Sequence, residues 1–241
     1  MVGNSYTFFN DMPKLLADML NHGGDDTYTV ESIVRGGEKL TGHVSRGDVT
    51  LALTNKKYDI VFLQEQSTVS FYTNERIGSE AAFADLIAKV RQNGARPVVV
   101  GTWPRKEGDS FYSNNYSNFI NPGNPKGMSA MLHTYYKNIA LNNKADYLPV
   151  GTYWWILEER NPEIDLYAED GSHPNAYGSY LFATLVYREI TGILPDSTQA
   201  LAWGLSQTFI DKVSALVEKK QATAGDSTTT RQESLPVQPT R

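Results

Sequence analysis

The chain has 241 residues and no cysteine, which excludes disulfide bonds, thiolate catalysis and cysteine-ligated metals. Its 27 acidic and 22 basic residues give a formal net charge of -5, so neither nucleic acid nor an anionic membrane is expected as a partner. With 40% hydrophobic residues the chain can bury one sizeable core, and no apolar run reaches the roughly 18 residues that predict a membrane span.

Hydrophobic spacing predicts alternating helices and strands in the first half of the chain. Helices are predicted over residues 10–20, 39–54 and 79–93, and strands over residues 28–34, 58–63 and 96–102. The apolar runs within the last two strands are continuous, which is typical of strands that are buried on both faces of a parallel sheet.

The second half continues the alternation after a long loop at residues 106–127, and loops of that length often carry function. Helices are predicted over residues 128–142, 177–191 and 199–219, with a short strand at 146–150. This order predicts a three-layer α/β/α sandwich with a mostly parallel sheet. We expect one domain over residues 1–220 and a disordered tail over 221–241.

Glycine and polar residues follow the predicted strands, where ligands bind in an open α/β sheet. They are residues 3–5, 36 and 37, 64–67, and 102 and 103, joined by residues 170–174 just before a strong helix. Because the carboxyl ends of parallel strands share one edge of the sheet, these segments are expected to converge there.

Ser5 and the pair Asp170 and His173 are the candidate catalytic residues. A serine at a helix N-terminus lies near backbone N–H groups that can stabilise an oxyanion. The three-residue spacing lets the Asp170 carboxylate orient the His173 ring, which can then accept a proton from a serine hydroxyl. Taken singly, Ser5 also fits a helix cap or a turn, Asp170 fits another cap, and His173 fits a surface histidine.

Further oxyanion donors are predicted at Gly37, Gln64 and Gln66. Gly37 can offer its backbone N–H because no side chain obstructs the approach. The two glutamines lie on one side of the chain if the strand persists, and either amide could donate. The alternative for Gly37 is an ordinary strand-to-helix turn, and the alternative for the two glutamines is a polar strand end.

Together these segments resemble the conserved blocks of the SGNH (GDSL-like) hydrolase superfamily. Residues 3–7 resemble its first block, with Asn4 where many members have Asp, residues 36 and 37 its glycine block, and residues 170–174 its last block. The resemblance implies a flavodoxin-like α/β/α fold in which Ser5 attacks an ester carbonyl, His173 is base and then acid, and Asp170 orients His173. The oxyanion hole would use the backbones of Ser5 and Gly37.

The third block departs from the common pattern of that superfamily, Gly-x-Asn-Asp, in which the Asn side chain completes the oxyanion hole. Here the sequence is Gln64-Glu65-Gln66-Ser67, which resembles a glutamine-containing version found in carbohydrate acetylesterase-like branches. This resemblance favours a glutamine as third donor, with Gln64 preferred to Gln66.

The substrate is expected to be a short-chain ester, with acetyl groups on carbohydrates as the favoured case, because no long apolar lid is evident. Trp103 and Trp154 could stack on a sugar ring, although packing in the core or at its rim is the favoured interpretation for either residue taken singly. An acyltransferase using the same residues and a non-catalytic carbohydrate-binding module are the alternatives. The four histidines show no paired metal-ligand spacing, so we expect no metal and no other cofactor.

Only Met1 and Val2 precede Gly3, so the strand expected before the nucleophile is short. A shortened central strand would leave backbone groups unpaired, and we therefore expect the natural N-terminus to lie upstream. A secretion signal could be lost with such a segment. The sequence predicts neither the compartment, which could be periplasmic, secreted or cytoplasmic, nor the oligomeric state.

Overall fold

A computed structural model describes residues 1–23 and 27–225 and contains one parallel five-stranded sheet. Its strands in chain order are β1 (Val2–Gly3), β2 (Ile33–Val34), β3 (Ile60–Gln64), β4 (Arg96–Val100) and β5 (Asp146–Leu148). Their order across the sheet is β2-β1-β3-β4-β5. The short strand β1 lies inside the sheet, pairing Val2 with Ile33 on one side and with Leu63 on the other.

Ten helices surround this sheet in the described part of the chain. They are α1 (Ser5–Phe8), α2 (Met12–Leu20), α3 (Leu40–Arg46), α4 (Asp48–Asn55), α5 (Thr73–Asn93), α6 (Pro125–Asn142), α7 (Val150–Arg160), α8 (Ala176–Thr191), α9 (Thr198–Ala202) and α10 (Gln207–Gly225). Within the described ranges, no helix combines the length and apolar character needed to cross a bilayer.

The core is divided into two by the sheet, as the alternation of side chains along a strand requires. Phe62 and Val98 pack with α2, α7, α8 and α10 on one face. Leu63 and Val99, the next residues along, pack with helices α3 to α6 on the other face. This arrangement confirms the predicted three-layer α/β/α fold with a parallel sheet.

Two predicted helices are divided in the structure, and both breaks occur at a glycine with positive φ. Gly47, at φ 68°, ends α3 and precedes α4, and Gly204, at φ 81°, separates α9 from α10. An L-residue with a side chain rarely adopts that conformation, so the glycines permit turns that helical periodicity alone does not reveal.

Other element boundaries also differ from the predictions. The strand predicted over residues 28–34 is reduced to β2, and α7 covers residues for which the sequence predicted no helix. Helix α10 continues to Gly225, past the predicted domain boundary at residue 220. The rest of the tail predicted to be disordered, residues 226–241, lies outside the described residues.

Candidate active site

Asn4 fixes the position of Ser5 at the junction of β1 and α1. Its backbone is extended, and its Oδ1 accepts from the Tyr6 N–H at 3.1 Å, which makes it the N-cap of α1. Its Nδ2 donates to the Glu38 carbonyl at 2.9 Å, and its own N–H donates to Gln64 Oε1 at 3.0 Å. Asn4 is also buried. These three hydrogen bonds and the burial together fix the turn from which Ser5 projects.

A second turn holds His173 over the same edge of the sheet. Asp170 Oδ1 accepts from the backbone N–H groups of Ser172 at 3.0 Å and His173 at 2.9 Å, while its Oδ2 contacts His173 Nδ1. Gly171 between them has φ 66°, a conformation that favours glycine. The carboxylate therefore fixes the imidazole ring through both the ring and the backbone.

The two turns bring Ser5 and His173 together across 168 positions of sequence, with 2.8 Å between Ser5 Oγ and His173 Nε2. That separation is a hydrogen bond within the range expected for a nucleophile and its general base. Because the Asp170 carboxylate can only accept from Nδ1, the neutral ring carries its proton there and Nε2 is left to accept from the serine hydroxyl.

The charge of Asp170 suits this orienting role. Partial burial acts to raise the pKa of this carboxyl, but hydrogen bonds from the ring and backbone of His173 and from the backbone of Ser172 outweigh it and lower the pKa. The group therefore remains ionised to a lower pH than an ordinary aspartate, and as a carboxylate it accepts the hydrogen bond from the ring.

Phe9 packs against His173 and Asn10 holds the chain that follows it, and the sequence analysis assigned neither residue to the site. The Phe9 ring stacks on the imidazole with centroids 4.5 Å apart and planes 21° apart. Asn10 adopts φ 51°, and its Nδ2 donates to the Pro174 carbonyl at 2.8 Å and to Ser179 Oγ at 2.9 Å. The one sequence signal was the neighbouring pair Asn10 and Asp11, residue types that tolerate left-handed backbone.

Trp103 and Trp154 do not line a substrate site, and that prediction is wrong. Both are fully buried, stacked on each other at 4.4 Å, with the Tyr6 ring stacked on Trp103 at 4.5 Å. Trp103 Nε1 donates to the Ser172 carbonyl at 3.0 Å. The indoles support the two turns from inside the core, since Trp103, which follows β4, and Trp154, which lies on α7, both point inward.

The two glutamines also differ from the prediction, which preferred Gln64 as oxyanion donor. Gln64 is 1% exposed, and its Oε1 accepts from the Asn4 N–H and from the Thr7 hydroxyl, so its side chain is engaged in holding the nucleophile turn. Gln66 is half-buried, and its Oε1 accepts from the Thr68 N–H at 2.8 Å. In the described part of the chain its Nε2 has no acceptor, which makes Gln66 the better candidate donor.

Gly37 lies in the turn after β2, exposed and with φ 68°. Its N–H donates to no acceptor among the described residues, so the structure keeps it as a candidate oxyanion donor. Across residues 1–23 and 27–225, no group of three or more histidine and acidic side chains is arranged to hold a metal ion.

Glu65 is a buried carboxylate that the sequence analysis passed over. Its Oε1 accepts from the backbone N–H groups of Leu40 at 3.0 Å and Gln66 at 2.7 Å, and its Oε2 accepts from Ser79 Oγ at 2.7 Å. Burial raises the pKa of this carboxyl, against the effect of those hydrogen bonds. The side chain joins the end of β3 to α3 and α5, beside the candidate oxyanion hole.

Several solved structures have the same architecture as this chain. A protein from Slackia heliotrinireducens, provisionally described as an SGNH hydrolase, is 28% identical, with a TM-score of 0.64, and the match covers 79% of this chain and 96% of that one. A DUF4886 family protein from Bacteroides uniformis is 16% identical, with a TM-score of 0.67 and coverage of 92% and 93%.

A catalytic mutant of an acetylxylan esterase from Geobacillus stearothermophilus is also similar, at 14% identity, with a TM-score of 0.57 and coverage of 79% and 92%. The likeness to this esterase and to the DUF4886 protein shows the fold alone. No family model matches the sequence, and no curated protein matches it.

The parallel sheet with helices on both faces is the α/β/α fold of the SGNH hydrolases. The predicted resemblance to that superfamily is thereby confirmed, and the similarity to the Slackia heliotrinireducens protein supports a hydrolase.

Proposed function

We propose that the chain is a serine ester hydrolase that cleaves short-chain acyl esters, with acetyl esters of carbohydrates as its natural substrates. The observation that carries this proposal is the continuous hydrogen-bonded series from Ser5 Oγ through His173 to Asp170 at the carboxyl edge of the sheet. A non-catalytic binding module would have no need of a serine hydroxyl, an imidazole and a carboxylate in this geometry.

The reaction follows from the positions of these atoms. Ser5 Oγ bonds to the ester carbonyl carbon while its proton passes to His173 Nε2, and the backbone N–H groups of Ser5 and Gly37 with the Gln66 amide stabilise the oxyanion. The bond to the alcohol oxygen then breaks, and the alcohol leaves with the proton from Nε2. Water attacks the acyl-Ser5 ester in the same way, which releases the carboxylic acid and restores the serine hydroxyl.

Two considerations support acetyl esters of carbohydrates. The sequence of the third block resembles the glutamine-containing branches with carbohydrate acetylesterases, and an acetylxylan esterase is among the structural neighbours. An acyltransferase would use the same three residues, with an acceptor hydroxyl in place of water. Product formation that depends on an added acceptor alcohol would distinguish it from a hydrolase.

The test is hydrolysis of p-nitrophenyl acetate by the wild-type chain and by Ser5→Ala. We expect the substitution to lower kcat by about a thousandfold or more, because the nucleophile is lost. Ser45→Ala, an exposed serine on α3, is the matched control and should retain full activity. The proposal is wrong if folded Ser5→Ala hydrolyses the ester as fast as the wild type, or if folded wild type hydrolyses no acyl ester.

A further inference from the structure

The long loop between β4 and α6 begins against the turn that carries His173. The Lys106 N–H donates to the Gly171 carbonyl at 2.8 Å, and the Tyr167 hydroxyl donates to the Pro104 carbonyl at 2.9 Å. A Cβ atom on Gly171 would lie 3.2 Å from Lys106 Cβ, so the two segments are in close contact. The start of the loop is therefore a neighbour of the candidate catalytic residues.

The same loop ends against the segment that follows β3. The Thr73 N–H donates to the Asn118 carbonyl at 2.9 Å, the Ile120 N–H donates to the Phe71 carbonyl at 2.8 Å, and Asn114 Nδ2 donates to the Tyr72 hydroxyl at 3.1 Å. The loop thus borders the candidate active site from the His173 turn to the chain that leaves Gln66. The solvent-facing side chains of this loop therefore lie on the side of the candidate active site where β3 and β4 end.

This loop lines a shallow cavity of about 460 Å³ that is open to solvent, bordered among others by Arg105, Asp109, Ser110, Asn115 and Tyr116. Small-molecule sites usually measure roughly 300–1,000 Å³ and combine an apolar surface with a few placed polar groups. No step of the proposed mechanism uses any of these residues, so the cavity is available for another part of the substrate.

Arg105 anchors the inner side of the cavity. Its Nη1 lies 3.1 Å from Asp109 Oδ2, and its guanidinium lies over the Phe111 ring at 5.5 Å. Its Nε is buried and makes no hydrogen bond to any described residue. Arg105 lies two residues after Trp103, whose ring stacks on Tyr6 of the nucleophile helix at 4.5 Å, so this end of the cavity adjoins that helix.

The charges of the cavity balance, because its lining holds one arginine and one aspartate in an ion pair. Such a pair presents both donors and acceptors to neutral hydroxyl groups and selects no net charge in the ligand. The outer side is formed by Tyr116, whose side chain is 66% exposed, next to the exposed amide of Asn115. An exposed ring beside polar groups matches a sugar ring, which has apolar C–H faces and a polar rim.

We propose that this cavity is the subsite for the alcohol part of the ester and that it binds an uncharged saccharide ring. The proposal rests on the proposed function, since it assigns the leaving group of that reaction. Tyr116 would stack on the ring, while Arg105, Asp109 and Asn115 would bind its hydroxyl groups.

The test compares a mono-acetylated methyl glucoside with ethyl acetate, whose alcohol part contains no sugar ring. In Tyr116→Ala we expect the ratio of kcat/KM for the sugar ester to kcat/KM for ethyl acetate to fall about tenfold, through KM. Tyr116→Phe keeps the ring and should restore the ratio. Leu141→Ala, a 64% exposed position near the end of α6 at the opposite edge of the sheet, should leave the ratio unchanged.

Binding of the sugar ester to Ser5→Ala, measured by calorimetry with and without Tyr116→Ala, separates the subsite from the chemistry. Weaker binding in the double variant supports the subsite even if no variant hydrolyses an ester. The lack of hydrolysis would contradict only the proposed function. An unchanged specificity ratio or equal binding in the two variants would overturn the subsite. Tighter binding of a negatively charged sugar ester would contradict the assignment to uncharged rings.

Discussion

Asn4 shows at the scale of a single residue why this chain can have asparagine at the position before Ser5, where the first block of the resembling superfamily often has aspartate. The Oδ1 atom of Asn4 caps α1, a role that a carboxylate fulfils equally well. The Nδ2 atom, however, donates to the Glu38 carbonyl, and a carboxylate has no donor for that position. The Asn4 amide therefore pairs with one hydrogen-bond donor, the Tyr6 N–H, and one acceptor, the Glu38 carbonyl, in a buried turn.

We accordingly expect Asn4→Asp to destabilise the protein by about 1–3 kcal/mol, because a buried carboxylate would face the Glu38 carbonyl without a donor between them. Urea unfolding at neutral pH measures the change in the free energy of unfolding. The loss should diminish at acidic pH, where the introduced carboxyl can protonate and donate. Equal stability of variant and wild type at neutral pH would show that the Nδ2 hydrogen bond contributes nothing.

At the scale of secondary structure elements, Glu65 is the contact that relates β3 to the helices behind it. One carboxylate accepts hydrogen bonds from α3, from α5 and from the chain leaving β3. Because burial raises its pKa above that of an unfolded glutamate, the native state binds the proton more tightly than the unfolded state does. Stability must therefore fall as pH rises from the ordinary glutamate value, about 4.3, to the raised value.

Glu65→Gln should remove this pH dependence while keeping the acceptor for the two backbone N–H groups. We expect the variant to be more stable than the wild type above the titration window, and we expect the difference to shrink as pH falls toward 4.3. Thermal unfolding across that range measures it. Glu65→Ala is the control and should lose stability at every pH, because it leaves the N–H groups without acceptors. A pH-independent difference for Glu65→Gln would contradict the assigned titration.

At the scale of the whole molecule, the stacked rings of Tyr6, Trp103 and Trp154 connect the candidate active site with the helical layer that contains α7. The two indoles are equally buried, but their N–H groups differ. Trp103 donates to the Ser172 carbonyl, whereas the Trp154 N–H lies close to the Tyr167 hydroxyl without a well-formed hydrogen bond.

This difference makes Trp103→Phe and Trp154→Phe a matched pair. Both remove similar apolar area, but Trp103→Phe also leaves the Ser172 carbonyl unpaired, so it should cost about 1–3 kcal/mol more in unfolding free energy. We expect it to lower kcat as well, because Ser172 adjoins His173, whereas Trp154→Phe should retain kcat. Denaturation and esterase assays on the two variants measure these differences in unfolding free energy and kcat. A larger loss of both in Trp154→Phe than in Trp103→Phe would contradict the supporting role of Trp103.

The sequence was sufficient for features that depend on local spacing or on strand topology. Asp170 and His173 are three residues apart, and Ser5 follows a strand of the same parallel sheet, so their meeting at one edge could be predicted. The choice between Gln64 and Gln66 could not, because β3 ends at Gln64 and the strand alternation assumed for the pair does not continue. The burial of Trp103 and Trp154 likewise depends on tertiary packing that hydrophobic patterns do not specify.

The distance in sequence between Ser5 and His173 has a consequence for how the protein is made. A nascent chain can complete strand β3 and helix α5 early, but the imidazole reaches the ribosome exit 168 positions after the serine. During most of synthesis the serine is thus an unactivated hydroxyl. The proposed ester cleavage can begin only when the α/β core has closed around both ends of the domain, so such activity would report on completed folding.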